Sequence, residues 1–158
     1  YFVDRLGDTF RWKSENCSTQ EVENCIMTDP LIKKDDSYVV ECCVVGLKIQ
    51  GYEGRCGYAI LQRNQGIKAN ITELEILNGL LPRLNLSLPK YSMPLFVKFV
   101  DEIEHTNNHK IRKVGYRNET LPKGTTGTDV IYFLKDYKQY VELTPLEYEK
   151  IINGETKL

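Results

Sequence analysis

Residues 1–23 read YFVDRLGDTFRWKSENCSTQEVE, a stretch that crowds charge, small residues and aromatics into a segment too polar to be core. Tyr1 to Val3 are apolar, and Asp4, Arg5, Asp8, Arg11, Lys13 and Glu15 follow closely, with Gly7 offering a free backbone turn. Such a segment suits a hinge or a ligand loop. Ser18, Thr19 or both then open a helix, because Ser18 to Glu21 has the spacing of a capping box. Val22, Cys25 and Ile26 give that helix its buried face, and Asp29-Pro30 ends it. The plainer reading of the same residues is a solvated, charged hairpin feeding a helix.

Beyond this stretch, Tyr38 to Leu47 (YVVECCVVGL) is β-branched and continuous, which predicts a strand buried on both faces. Gly51 to Gly57 form a glycine-punctuated loop containing Arg55, and Tyr58 to Leu61 read as the partner strand. Asn70 is the expected cap of the next helix, with Glu73 three residues on; Leu74, Leu77, Leu81 and Leu84 form its apolar face, and Pro82 is expected to kink or restart it. Pro89, Tyr91 and Pro94 imply an extended approach to a strand from Leu95 to Asp101. A polar loop, a short amphipathic segment at 111–117 and turn material at 121–129 come next. VIYFL and YVEL predict an aromatic strand pair, and Thr144-Pro145-x-Glu147 opens a last helix that Gly154 closes.

These elements predict one α+β domain, a small central β-sheet flanked by helices. Its 158 residues suffice for a core, and a net charge of -1 implies no attraction to nucleic acid or anionic lipid. Hydrophobic residues make up 41%, but no run approaches the roughly 20 residues of a membrane helix. The five cysteines are odd in number and fit no zinc spacing, and Cys42-Cys43 inside an apolar run read as core residues in a reducing compartment. Sequons begin at Asn16, Asn70, Asn85 and Asn118, and with no signal peptide in view they are read as unused. His105 and His109 lack the cysteine or acidic partners of a metal site, so none is expected.

The opening stretch resembles the junction motif of the adenylate-forming acyl-CoA synthetase superfamily. It is most similar to the version DR-x-GDTFRWK-x-EN of the fatty acid transport proteins, or very long-chain acyl-CoA synthetases, and Asp4 to Glu23, YEGR at Arg55, LFVKFVDEI and the closing LT...Y..I..G..KL carry the likeness. TNNHK, MPLFVKFVDEI and LPKG resemble the yeast-type branch. The resemblance implies the mobile C-terminal domain of such an enzyme over 1–158, with a hinge segment at 1–13 and a strand-helix tail extension at 118–158.

It also implies roles. Lys110, in Thr106-Asn-Asn-His-Lys110-Ile, matches the lysine that meets the carboxylate and α-phosphate during adenylation, although His109 stands where the broader superfamily usually has glycine. Arg5 matches a nucleotide-binding arginine, and Asp8 the hinge about which the small domain rotates. Ser14, Glu15 and Asn16 match the loop lining the pantetheine tunnel, with Ser14 where glycine is more usual, and Arg55 is a candidate for a phosphate of coenzyme A. From the residues alone, Lys110 reads as a solvated surface lysine and Arg5-Asp8 as a surface pair worth under ~1 kcal/mol.

The implied reaction joins a long or very long fatty acid to coenzyme A through acyl-AMP, coupled to fatty acid uptake. ATP and magnesium would be bound mainly by an N-terminal adenylation domain, with coenzyme A as co-substrate and the membrane reached through upstream sequence. This stretch alone is expected to be soluble and inactive. Thr156-Lys157-Leu158 loosely resembles a peroxisomal address with threonine in place of serine; endoplasmic reticulum, peroxisome, lipid droplet and plasma membrane all stay open. The alternative is a non-catalytic module docking a partner such as another synthetase, for which Tyr132, Tyr137, Tyr140 and Tyr148 would supply surface unless they pack on the sheet.

Overall fold

The computed structural model describes residues 9–29, 32, 38–49, 52–64, 72–103 and 130–155. In chain order its elements are β1 (Thr9–Trp12), β2 (Glu15–Ser18), α1 (Thr19–Met27), β3 (Val39–Lys48), β4 (Arg55–Arg63), α2 (Glu73–Ser87), a 3-10 turn (Lys90–Ser92), β5 (Pro94–Val100), β6 (Val130–Lys135), β7 (Gln139–Glu142) and α3 (Pro145–Ile152). The last five strands form one sheet in the order β3-β4-β5-β6-β7, and β1-β2 is a separate hairpin. Only the β4–β5 pair is parallel, because α2 carries the chain back between them; the others are antiparallel. The result is a small mixed sheet with three helices among the described residues.

Both edges of this sheet are covered by polar side chains from helices. On β3, the Val44 N–H donates to the Glu23 carboxylate of α1 at 2.8 Å. On β7, the Asn78 amide of α2 donates to Tyr140 O at 3.3 Å while its Oδ1 accepts from Tyr140 N at 2.8 Å. Exposed strand edges invite pairing with other chains, and these contacts blunt them. The β3 run is buried from Cys42 to Leu47 as its composition predicts, whereas Val40 is exposed.

Each helix begins where a hydroxyl can take an orphan amide. Ser18 accepts from Glu21 N, and Thr144 accepts from Glu147 N ahead of Pro145, as the sequence predicts. For α2 the expectation needs correction: Asn70 lies outside the described residues, and the cap is Thr72, whose hydroxyl and backbone N–H exchange bonds with Glu75 in a reciprocal capping box. Pro82 does not restart α2. The helix runs unbroken from Glu73 to Ser87, held by Ile76, Leu77, Leu80, Leu81 and Leu84 in the core, with Leu74 only partly buried. A broad apolar face outweighs the one backbone hydrogen bond that proline removes.

The approach to β5 is also corrected, since extended Pro89 and Met93 bracket a 3-10 turn over Lys90–Ser92. At the C-terminus, Gly154 takes a φ of +80° and closes α3. Of the tail tyrosines, Tyr132 and Tyr140 are buried and Tyr137 and Tyr148 partly so, which removes most of the proposed docking surface. All five cysteines are buried, and none is joined in a disulfide.

Candidate functional site

The β1–β2 hairpin reaches the sheet through Phe10. Gly46 and Gly57 face each other across β3 and β4, and an added Cβ at Gly46 would lie 2.6 Å from Phe10 Cβ. One at Gly57 would lie 2.9 Å from Met93 O and 3.3 Å from Phe10 Cζ. Two absent side chains on adjacent strands thus form the seat of one aromatic ring. Trp12, 2% exposed, pairs as an isolated bridge with Gly54 and packs 5.8 Å from the Tyr52 ring. Gly54 combines a φ of +79° with a position where a Cβ would sit 2.4 Å from Arg11 O, so only glycine fits.

The hairpin's turn is strained. Trp12 pairs with Glu15, which leaves Lys13 and Ser14 as a two-residue loop at φ 51° and 66°. Asn-Gly is the relaxed choice for such a turn. Arg11, Lys13, Ser14, Glu53 and Gly54 line an open groove of about 350 Å³ beside it.

Ser14, Glu15 and Asn16 are therefore brought together, exposed, on one hairpin, with Ser14 on the groove wall and Asn16 accepting from Arg11 Nη1 at 3.2 Å. Arg55 does not stand in a loop. It opens β4 opposite Lys48, because the strand starts three residues before Tyr58, and its Nη1 donates to Gly46 O at 3.2 Å. Lys110, Arg5, Asp8, His105 and His109 lie outside the described residues, as do Asn118, the 111–117 and 121–129 segments and Thr156 to Leu158. Among the described residues no cluster of three or more His, Cys, Asp or Glu is arranged to hold a metal ion, and no helix is long and apolar enough to cross a membrane.

Two further polar neighbourhoods lie at opposite ends of the sheet. Under the hairpin, the Cys17 thiol donates to Tyr91 O at 3.5 Å, and burial pushes its pKa up. At the ends of β4 and β5, Arg63 meets Glu73 at 2.7 Å and Asp101 at 3.0 Å. The Glu73 carboxylate also accepts from Tyr38 OH at 2.9 Å and Tyr132 OH at 3.1 Å. Burial first, and then the Glu73 carboxylate through its hydrogen bond and its charge, hold both phenols above their ordinary value of 10.0.

Sequence reasoning missed the Gly46/Gly57 seat, the Thr72 cap and the part played by Lys90 and Tyr137 next to the hairpin turn. A signal existed for the first, since two glycines in otherwise apolar strand runs mark close approach of another chain segment.

A family model described as the AMP-binding enzyme C-terminal domain matches residues 21–110, more than half of the chain, and the chain belongs to that family. The match ends at Lys110. Within it, the chain is 50% identical over 151 residues to the very long-chain fatty acid transport protein of Saccharomyces cerevisiae, covering 96% of this chain and 22% of that protein. Among solved structures, a fatty acyl-CoA synthetase of Mycobacterium tuberculosis matches at a TM-score of 0.54 and 27% identity, covering 72% of this chain and 20% of that one. ATP-bound MatB of Rhodopseudomonas palustris matches at a TM-score of 0.55 and 27% identity, with the same coverage. The chain spans about a fifth of the length of these relatives.

Proposed function

We propose that the chain is the rotating C-terminal part, over 1–158, of an ATP-dependent ligase that activates long or very long fatty acids to acyl-CoA thioesters in the course of fatty acid uptake. Residues 1–13 serve as its hinge segment and 118–158 as its tail extension. The observation that carries this function is the Lys13–Ser14 hairpin turn, held in a left-handed geometry on a glycine seat and forming one wall of a groove. The likeness to the yeast transport protein along 96% of the chain supports the substrate class.

The two half-reactions divide the residues. In the first, the Lys110 ammonium balances charge between the fatty carboxylate and the α-phosphate of ATP, and Arg5 holds the nucleotide. One positioned cation of this kind contributes roughly 10²- to 10³-fold. Rotation about Asp8 then replaces Lys110 with the hairpin, whose Ser14, Glu15 and Asn16 line the path of the coenzyme A thiol, and Arg55 stands near a phosphate of coenzyme A. Completion of a site by a moving domain is the logic of a lid. The magnesium accompanying ATP belongs to an N-terminal adenylation domain, which is this domain's partner, and contact with the membrane lies in sequence upstream.

The test is Lys110→Ala in the full-length enzyme, assayed separately for acyl-adenylate formation and for thioester formation from supplied acyl-adenylate. Loss of the first step with the second retained is expected. Wild-type rates in both would overturn the assignment.

A further inference from the structure

Tyr137, delivered by the β6–β7 turn, meets the turn of the β1–β2 hairpin. Its ring centroid lies 5.6 Å from Lys13 Nζ and 4.7 Å from Lys90 Nζ, so two ammonium groups from two different segments converge on one aromatic ring. The ring is half-buried against the core. Its hydroxyl is within reach of the Trp12 indole N–H, which is buried and does not close a hydrogen bond of ordinary geometry. Tyr137 thus addresses both Trp12, the last residue of β1, and Lys13, the first of the strained turn.

The turn needs an external hold. Lys13 and Ser14 both adopt a backbone conformation that side-chain-bearing residues disfavour, and such conformations persist where surroundings over-determine them. Tyr137 and its neighbour Asp136 are themselves at φ 59° and 55°, a second strained turn facing the first. The β6–β7 hairpin has its own anchors, since Tyr140 OH donates to Pro94 O at 2.7 Å and Asn78 clasps the Tyr140 backbone. Loss of the Tyr137 ring therefore leaves that hairpin attached. Tyr137 also lies beyond the 21–110 family match, so this contact is an addition to the domain that the family describes.

We propose that Tyr137 is a positioning residue for thioester formation: clamped by Lys13 and Lys90, it fixes the Lys13–Ser14 turn at the groove that receives the coenzyme A thiol. The proposal rests on the function given above for the hairpin. It makes the tail a working part of the second half-reaction, with no part in the first.

The experiment compares Tyr137→Ala and Tyr137→Phe with wild type in the full-length enzyme. Tyr137→Ala should lower kcat/KM for coenzyme A in thioester formation from supplied acyl-adenylate by about tenfold, mainly through KM, and leave acyl-adenylate formation within about twofold. Tyr137→Phe keeps the ring and should stay within about twofold in both steps. Hydrogen exchange at the amides of 11–16 should quicken in the alanine variant and not in the phenylalanine one. Unchanged thioester kinetics in Tyr137→Ala, equal loss in both half-reactions, or unchanged exchange at the turn would each overturn the proposal. A wild-type enzyme unable to form the thioester from acyl-adenylate would instead overturn the function of the hairpin, and the exchange contrast tells that failure apart from failure of the brace.

Discussion

Asn78 clasps the backbone of Tyr140 with both ends of its amide, standing in for the strand that β7 lacks on its outer side. Asn78→Ala removes two hydrogen bonds to a half-buried edge and should destabilise the chain by about 1 to 3 kcal/mol, read as a lower urea midpoint. The exposed edge should also promote self-association, detectable by sedimentation. A midpoint and a sedimentation profile equal to wild type would contradict the capping role.

Gly46 separates steric from conformational cost. Gly46→Ala drives a Cβ to 2.6 Å from Phe10 Cβ and 2.9 Å from Arg55 Cβ, so the hairpin must lift from the sheet at a cost of about 1 to 3 kcal/mol. Gly154→Ala meets nothing within 4 Å and bears only its φ of +80°, about 1 kcal/mol. In thermal unfolding both variants should melt earlier, but only Gly46→Ala should raise hydrogen exchange across Thr9 to Ser18.

Ser14→Gly relaxes the φ of 66° in the hairpin turn. A stability gain of up to about 1 kcal/mol is expected, offset in part by the greater freedom of glycine in the unfolded chain. A rise in Tm checks it, and a fall would mean that the Ser14 side chain contributes more than its backbone strain removes.

Alkaline pH should weaken the fold from the tyrosine cluster at Glu73. Tyr132, raised above its ordinary value of 10.0 by burial and then by the Glu73 charge, keeps its proton in the folded state after the unfolded chain has lost it. The unfolded state then binds fewer protons, so the Tyr132 contribution is intact below pH 10 and falls above it, by at most about 1.4 kcal/mol per pH unit per group. Cys56, fully buried and raised from 9.0, adds the same slope from a lower pH. Tyr132→Phe should flatten the decline of Tm above pH 10, and an equal decline in both proteins would exclude Tyr132 as its source.

How much of this was legible beforehand depends on the range of the signal. The caps at Ser18 and Thr144, the α1 face of Val22, Cys25 and Ile26, and the strand read over Tyr38 to Leu47 are written in residues a few positions apart, and they stand as expected, the strand one residue later at each end. Family likeness supplied the hairpin residues Ser14, Glu15 and Asn16. What differed was set across the chain: the core face of α2 carried the helix through Pro82 without a restart, and pairing with Lys48 drew Arg55 out of its loop into β4. Convergence of Tyr137, Lys13 and Lys90 joins segments far apart in sequence, which no local pattern encodes.

The five buried thiols give the chain a chemical clock. Each reacts with an alkylating reagent only when its own element opens, and the elements differ: Cys17 lies in β2 of the hairpin, Cys25 in α1, Cys42 and Cys43 in β3, and Cys56 at the start of β4. Labelling rates resolved by mass spectrometry would therefore time the hairpin's departure separately from the rupture of the sheet, with no probe introduced into the molecule.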